Sequence, residues 1–320
     1  MRIAVILTGA LRTIRKTIRY FKSHIIEPNQ QHTVDVFACV QNDNHHLESD
    51  WELWFKEQLG SHMKSIKWFT LTPAWTAQRD ILLQHIPIDE SWKGYLRRSG
   101  SMIEYAQLQQ ASMQLTDYEH AQRITYDYVI RTRTDSIYCK PVDFHWLQWT
   151  EAEVAQRVER IQQKLEESAI NLSRTIPYFM STLLSDDTIP NIKQIHAVSH
   201  LGLSQTEPDV TTLHNYITEG RYIMTLRANN LYIVKRNLFS ILPALGTMYG
   251  QFKAPHSDAW WFNAEGQFKS ICYYAGITTY DYNTVFEDKS VETNGWNESM
   301  FFDKDFNCIK DTMLFCVVRK

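Results

Sequence analysis

At 320 residues the chain is long enough for one large domain or two modest ones, with a substantial core either way. Its 44% hydrophobic and 22% charged residues exclude a disordered chain, and a net charge of -3 argues against a general nucleic-acid or membrane-surface binder. Only 11 glycines are present and neither G-x-x-x-x-G-K-[ST] nor G-x-G-x-x-G occurs, which argues against a glycine-rich phosphate cradle.

Five cysteines (Cys39, Cys139, Cys272, Cys308, Cys316) stand far apart, with no C-x-x-C pair for zinc or redox work. Cys39 and Cys316 fall in apolar strand-like runs, so reduced core thiols are expected. The apolar run after Met1-Arg2 is too short for a signal peptide, and no later window approaches the roughly 18 apolar residues of a span. The expectation is a soluble, cytoplasmic protein that neither inserts stably into membranes nor binds nucleic acid.

In chain order, Ile3 to Leu7 is a continuous apolar run and predicts a buried parallel strand, broken by Thr8-Gly9. Leu11, Ile14, Ile18, Phe21 and Ile25 then recur at spacings of three and four, predicting an amphipathic helix with a basic outer face. Thr8, Gly9 and Arg12, at the loop that starts this helix, are candidate phosphate or nucleotide contacts. Val34 to Val40 predicts a second strand. It ends in Gln41-Asn-Asp-Asn44, where Asn42 and Asp43 are candidates to read a base or ribose. Ile66 to Leu71 predicts a third strand, so that strands and helices alternate as in a parallel sheet with right-handed crossovers.

Ser99 to Leu115 predicts a helix with Met102, Ala106 and Met113 inward. Next comes Tyr126-Asp-Tyr-Val-Ile-Arg-Thr-Arg-Thr-Asp-Ser-Ile-Tyr138, an aromatic and β-branched strand signal running into a knot of charge. Arg131, Arg133 and Asp135 alternate, so extended geometry would put all three on one side, a place for phosphate and a hard cation. Glu151 to Ile170 predicts a surface or lid helix. His196 and His200 have metal-compatible spacing if helical, but a strand is equally compatible. Leu231 to Val234 and Ile277 to Tyr280 predict further strands, and Met313 to Val318 an apolar run packed on the domain.

The second dense constellation is Pro255-His-Ser-Asp-Ala-Trp-Trp-Phe262. A cation held by Asp135, with His256 a further candidate ligand, would bridge the two phosphates of a nucleotide diphosphate. Arg12 with Arg131 or Arg133 would add charge to the same leaving group, and Asp258 could accept a proton from an incoming hydroxyl. Trp260 and Trp261 are candidates to stack on an acceptor sugar.

The Leu7-Thr-Gly-Ala-Leu-Arg12 opening, Val34-Asp-Val-Phe37, the Arg131-Thr-Arg-Thr-Asp135 strand end and the His256-Ser-Asp258 helix start together resemble GT-A-fold glycosyltransferases. The likeness is to the stand-alone soluble enzymes of bacterial polysaccharide synthesis and of large DNA viruses such as chloroviruses. It covers roughly residues 1 to 150 and 225 to 285. The resemblance implies an α/β fold: one GT-A-like (Rossmann-like) domain over residues 1–320 with a mostly parallel central sheet. Residues 1–150 would bind the nucleotide sugar, 151–225 would form a helical or irregular insertion, and 226–320 would face the acceptor. It further implies transfer of a hexose or pentose from a UDP-sugar or similar donor to a hydroxyl of an oligosaccharide or glycoprotein, inverting by single displacement with Asp258 as base. Such enzymes usually hold a divalent metal, commonly Mn2+, through Asp-x-Asp. Here Arg133-Thr-Asp135 has arginine at the first position, leaving Asp135 as the sure carboxylate. Two rivals are a nucleotidyltransferase, whose glycine- and lysine-containing opening is missing, and a non-catalytic nucleotide- or carbohydrate-binding protein.

Overall fold

A computed structural model describes residues 1–42, 47–85, 90–98, 101–139, 141–142, 144, 192–196, 222–226, 231–239, 278–282, 303–304 and 315–317. Strand β1 (Arg2–Ala10) lies inside the sheet, and Ile3, Ala4, Val5 and Ile6 have no exposed surface. Both faces of the strand are covered, which is why its apolar run is continuous rather than alternating. A 3-10 turn (Leu11–Thr13) leads into α1 (Ile14–Phe21), which widens into a π-type turn over Lys22–Ile26. Leu11, Ile14, Ile18, Phe21 and Ile25 are all buried, as their spacing predicts.

The chain continues through β2 (Thr33–Gln41), α2 (Glu48–Leu59), β3 (Met63–Trp68), α3 (Pro73–His85), α4 (Glu90–Arg98), α5 (Ser101–Gln122), β4 (Tyr128–Arg133) and β5 (Ser136–Tyr138). Then follow β6 (Ile192–His196), β7 (Tyr222–Leu226), β8 (Leu231–Lys235), α6 (Arg236–Phe239), β9 (Thr278–Tyr282) and β10 (Phe315–Val317). Eight strands form one sheet in the order β3-β2-β1-β4-β8-β7-β9-β6. The β3, β2, β1 and β4 neighbours pair in parallel, as do β7 and β9, whereas β4–β8, β8–β7 and β9–β6 are antiparallel. The fold is α/β with a mostly parallel sheet flanked by helices. A short ribbon of β10 and β5 pairs part of the terminal apolar run, which was expected to pack on the domain, with the segment after β4.

Helix α5 packs across β1, β2 and β3 through Tyr105, Leu108, Ala111 and Leu115, each burial removing apolar surface worth roughly 1.5–3 kcal/mol for the larger side chains. The same face also buries Gln107 and Gln114, whose side-chain amides donate to the Cys39 and Ala38 carbonyls at 2.6 and 3.3 Å. This inward face mixes polar with apolar residues; Ala106, predicted inward, is buried. Met113, predicted inward, is 56% exposed.

Two further differences concern the middle of the chain. Strands β6 and β7 come from the stretch expected to be a helical or irregular insertion, yet both belong to the main sheet. His196 ends β6, so it does not share a helical turn with His200, which lies outside the described residues. The expected helix over 151–170 also lies outside them. Among the described residues no helix is long and apolar enough to cross a membrane.

Candidate functional site

Strand order reverses between β1 and β4: from β1 the chain builds outward through β2 and β3, then returns to the other side. In open α/β sheets ligands bind outside the carboxyl ends of the strands at such a point. The register places Thr8 of β1 beside Arg133 of β4, and Ile6 beside Arg131, so the charged end of β4 stands at the reversal.

The turn after β4 is fixed from three directions. Thr134 N–H donates to the Thr8 carbonyl at 2.9 Å, and its hydroxyl to the Ala10 carbonyl at 2.7 Å. Its own carbonyl accepts from the Thr17 hydroxyl on α1 at 2.6 Å. Gly9 makes this approach possible. Its φ is +121°, and a β-carbon there would stand 2.6 Å from Thr134 Oγ1. Gly9 is therefore a backbone requirement of the site.

Around this frame sit three guanidiniums and two carboxylates. Arg131 is buried, donating from Nε to Thr8 Oγ1 at 3.1 Å and from Nη2 to Glu104 Oε1 at 2.6 Å. Its guanidinium carbon lies 5.8 Å from the centre of the Tyr232 ring, the residue opposite it on β8. Arg133, partly exposed, grips Asp135 with both prongs: Nε to Oδ1 at 2.9 Å and Nη2 to Oδ2 at 2.7 Å. Its Nη1 is 4.0 Å from Glu104 Oε2, and the exposed Arg12 brings Nη2 to 4.0 Å from Asp135 Oδ2. Among the described residues the cluster carries one net positive charge.

Thr8, Gly9, Arg12, Arg131, Arg133 and Asp135 are thus brought together, though not all in the roles expected. The Thr8 hydroxyl is fully buried and occupied by Arg131 and the Thr132 carbonyl, so it holds an arginine and does not face solvent. Asp135 does not continue an extended run, because β4 stops at Arg133 and the carboxylate returns to Arg133 through a turn. Asn42 follows β2 directly and is partly exposed. Asp43, His256, Asp258, Trp260 and Trp261 lie outside the described residues. Glu104 was missed. It contacts both β4 arginines from the first turn of α5, and the signal was a polar stripe with Gln107 and Gln114 on the face that turns inward.

The described donor set does not fit a hard divalent cation. Both Asp135 oxygens already accept from a guanidinium, and no group of three His, Cys, Asp or Glu residues gathers among the described residues. Two unit charges about 4 Å apart at an effective dielectric of about 20 interact by about 4 kcal/mol, so Arg133 would repel a dication by roughly as much as Asp135 attracts it and would cancel the carboxylate's pull. The cluster fits an anion instead: Arg131 Nη1 is buried with no hydrogen-bond partner among the described residues, and two guanidiniums reach the surface.

A cleft of about 520 Å3, lined by Glu119, Tyr126, Asp127, Lys235 and Arg236, lies at the opposite, amino-terminal end of β4. There Arg236 pairs with Glu119 at 2.6 Å and ties α6 to α5, a join between elements on the wrong side of the sheet for a ligand of this architecture.

No protein-family model and no curated protein sequence matches the chain. Among solved structures it is similar to core-mannan synthase A of Aspergillus fumigatus in its Mn/GDP form, at 12% identity over 87% of this chain and 70% of that one. The TM-score is 0.38, and no residue role is taken from that likeness.

Proposed function

We propose that the chain is a glycosyltransferase that moves a sugar from a nucleotide-diphosphate donor, a UDP-sugar in the first instance, to a hydroxyl of a glycan. The observation that supports it is the arginine cluster at the carboxyl ends of β1 and β4, where the strand order reverses. A diphosphate leaving from the anomeric carbon gains negative charge in the transition state, and guanidiniums already in place lower that barrier without reorganising. Arg12 and Arg133 take that role. Arg131 and Thr8 hold the floor of the cluster, and Asn42 at the end of β2 lies on the side where a base or ribose would extend.

In this reading Asp258 accepts the proton of the acceptor hydroxyl as its oxygen attacks the anomeric carbon. The bond to the diphosphate breaks on the opposite face, and the product is inverted. Trp260 and Trp261 stack on the acceptor sugar, an oligosaccharide or a glycoprotein glycan. The cation expected from Asp135 and His256 has no step here, because Asp135 is already bound by Arg133.

Release of nucleoside diphosphate from UDP-, GDP- and TDP-sugars, with and without oligosaccharide acceptors, tests the reading. Release from one donor, accelerated by an acceptor and lost in Asp258→Asn, is the expected result. Wild-type turnover in Asp258→Asn would remove the base, and silence with every donor would remove the transferase.

A further inference from the structure

We propose that the donor's diphosphate is held by guanidinium groups directly, without a divalent cation, with Arg12 and Arg133 as the contacts and Glu104, which faces both Arg131 and Arg133, as a carboxylate of the same cluster. The proposal rests on the nucleotide-sugar reading above and says how that site binds its anion.

Four observations lead to it. Asp135, the carboxylate a metal would need, is only 3% exposed and gives one hydrogen bond acceptor site on each oxygen to Arg133 in a fork-to-fork arrangement. The turn that carries it is pinned to β1 and α1 by Thr134, so the backbone is not free to offer the carboxylate elsewhere. The carboxylates are outnumbered: Glu104 is shared between Arg131 and Arg133, and Asp135 between Arg133 and Arg12, which leaves the cluster net positive. Finally, Arg131 keeps a buried Nη1 unpartnered among the described residues, while the Arg12 and Arg133 side chains are 39% and 24% exposed. A dication would add like charge to three guanidiniums; a diphosphate neutralises them.

In this arrangement Asp135 competes with the phosphates for Arg133. The two possible modes therefore predict opposite signs for the same substitution. Removing the charge of Asp135 would empty a metal site, but it releases Arg133 toward a directly bound anion.

The test is calorimetric titration of UDP, GDP and TDP into the full chain, first in EDTA and then with Mn2+, for the wild type, Asp135→Asn and Arg12→Gln. Circular dichroism confirms the fold of each variant, and Mn2+ electron paramagnetic resonance counts bound metal. We expect one diphosphate to bind with the same affinity within about threefold in both buffers. We expect Asp135→Asn to tighten binding, and Arg12→Gln to weaken it at least about tenfold, the equivalent of one charge-assisted hydrogen bond. Binding that requires Mn2+ and is lost in Asp135→Asn would overturn the proposal while leaving the transferase reading intact. No binding of any diphosphate in either buffer would remove both.

Discussion

Replacing Gly9 with alanine would set the left-handed backbone and the Thr134 contact against each other, and the structure separates the two. Gly9 has φ of +121°, where a residue with a β-carbon is strained by about 1–3 kcal/mol. The new β-carbon would also stand 2.6 Å from Thr134 Oγ1, pushing that hydroxyl off the Ala10 carbonyl it reaches at 2.7 Å and losing about 1 kcal/mol more. The expected loss for Gly9→Ala is therefore roughly 3 kcal/mol. Thr134→Ala alone loses only the hydroxyl's bond, about 1 kcal/mol. In the double variant the same hydrogen bond is lost once, not twice, and Thr134 Cβ at 3.7 Å is in ordinary contact. The pair should then cost roughly 3 rather than 4 kcal/mol, a coupling of about 1 kcal/mol. Urea unfolding of the four proteins, followed by circular dichroism, gives each term if the m-value is unchanged. Additivity to within about 0.5 kcal/mol would refute the clash, and a Gly9→Ala loss below about 1 kcal/mol would refute the backbone argument as well.

The remaining expectations concern buried charge and titration. Glu104→Gln leaves the buried Arg131 guanidinium facing an amide and should cost about 2–3 kcal/mol in urea unfolding, with part recovered in Glu104→Gln/Arg131→Met; a loss under about 0.5 kcal/mol would mean the pair contributes nothing. Burial lowers the His24 pKa from 6.5, against the opposing effects of a hydrogen bond to the backbone at Tyr138 and of Glu27. The unfolded chain then binds the proton first, so His24's contribution is present above about pH 6.5 and is lost as pH falls through that value toward the folded-state pKa. His24→Asn should flatten the fall in melting temperature between about pH 7 and 5, and an unchanged slope would exclude His24 as its source. Burial pushes the Cys39 thiol up to about 12, so alkylation by iodoacetamide at pH 8 should follow global unfolding, and rapid labelling of Cys39 in the native state would contradict its burial.

What could be read from the sequence follows from how local each signal is. The runs at Ile3–Leu7 and Val34–Val40 are continuous because parallel strands are covered on both faces, and both stand in the sheet where their order predicts. Strand β6 is five residues long and pairs with β9, far along the chain, so nothing in its own neighbourhood marks it as part of the main sheet, whereas β7 is the sequence neighbour of β8 and pairs with both β8 and β9. Within the charge cluster, Arg131 and Arg133 were legible because they end an aromatic and β-branched strand run. Glu104 was not, because a helix whose inward face carries Gln107 and Gln114 beside Tyr105 and Leu108 has no clean apolar stripe to orient it. Asp135 shows the limit of alternation as a rule: it reaches Arg133 through a turn, a geometry set by Gly9 on β1 and Thr134 in the turn after β4.

That turn also explains why the cluster sits where it does. Three of its charges are held by something rigid: Arg131 by the Thr8 hydroxyl on β1, Glu104 by the start of α5, Asp135 by a loop tied to β1 and α1. The antiparallel half of the sheet joins the parallel half at the same strand, since Arg131 pairs with Tyr232 in register and lies over its ring. At the other end of β4, the Glu119–Arg236 pair fastens α6 to α5. A site supported in this way keeps its arginines in place before any ligand arrives, and preorganised charge is what an anion-stabilising site requires. The like-charge repulsion among three guanidiniums is the consequence, and Glu104 and Asp135 offset part of it.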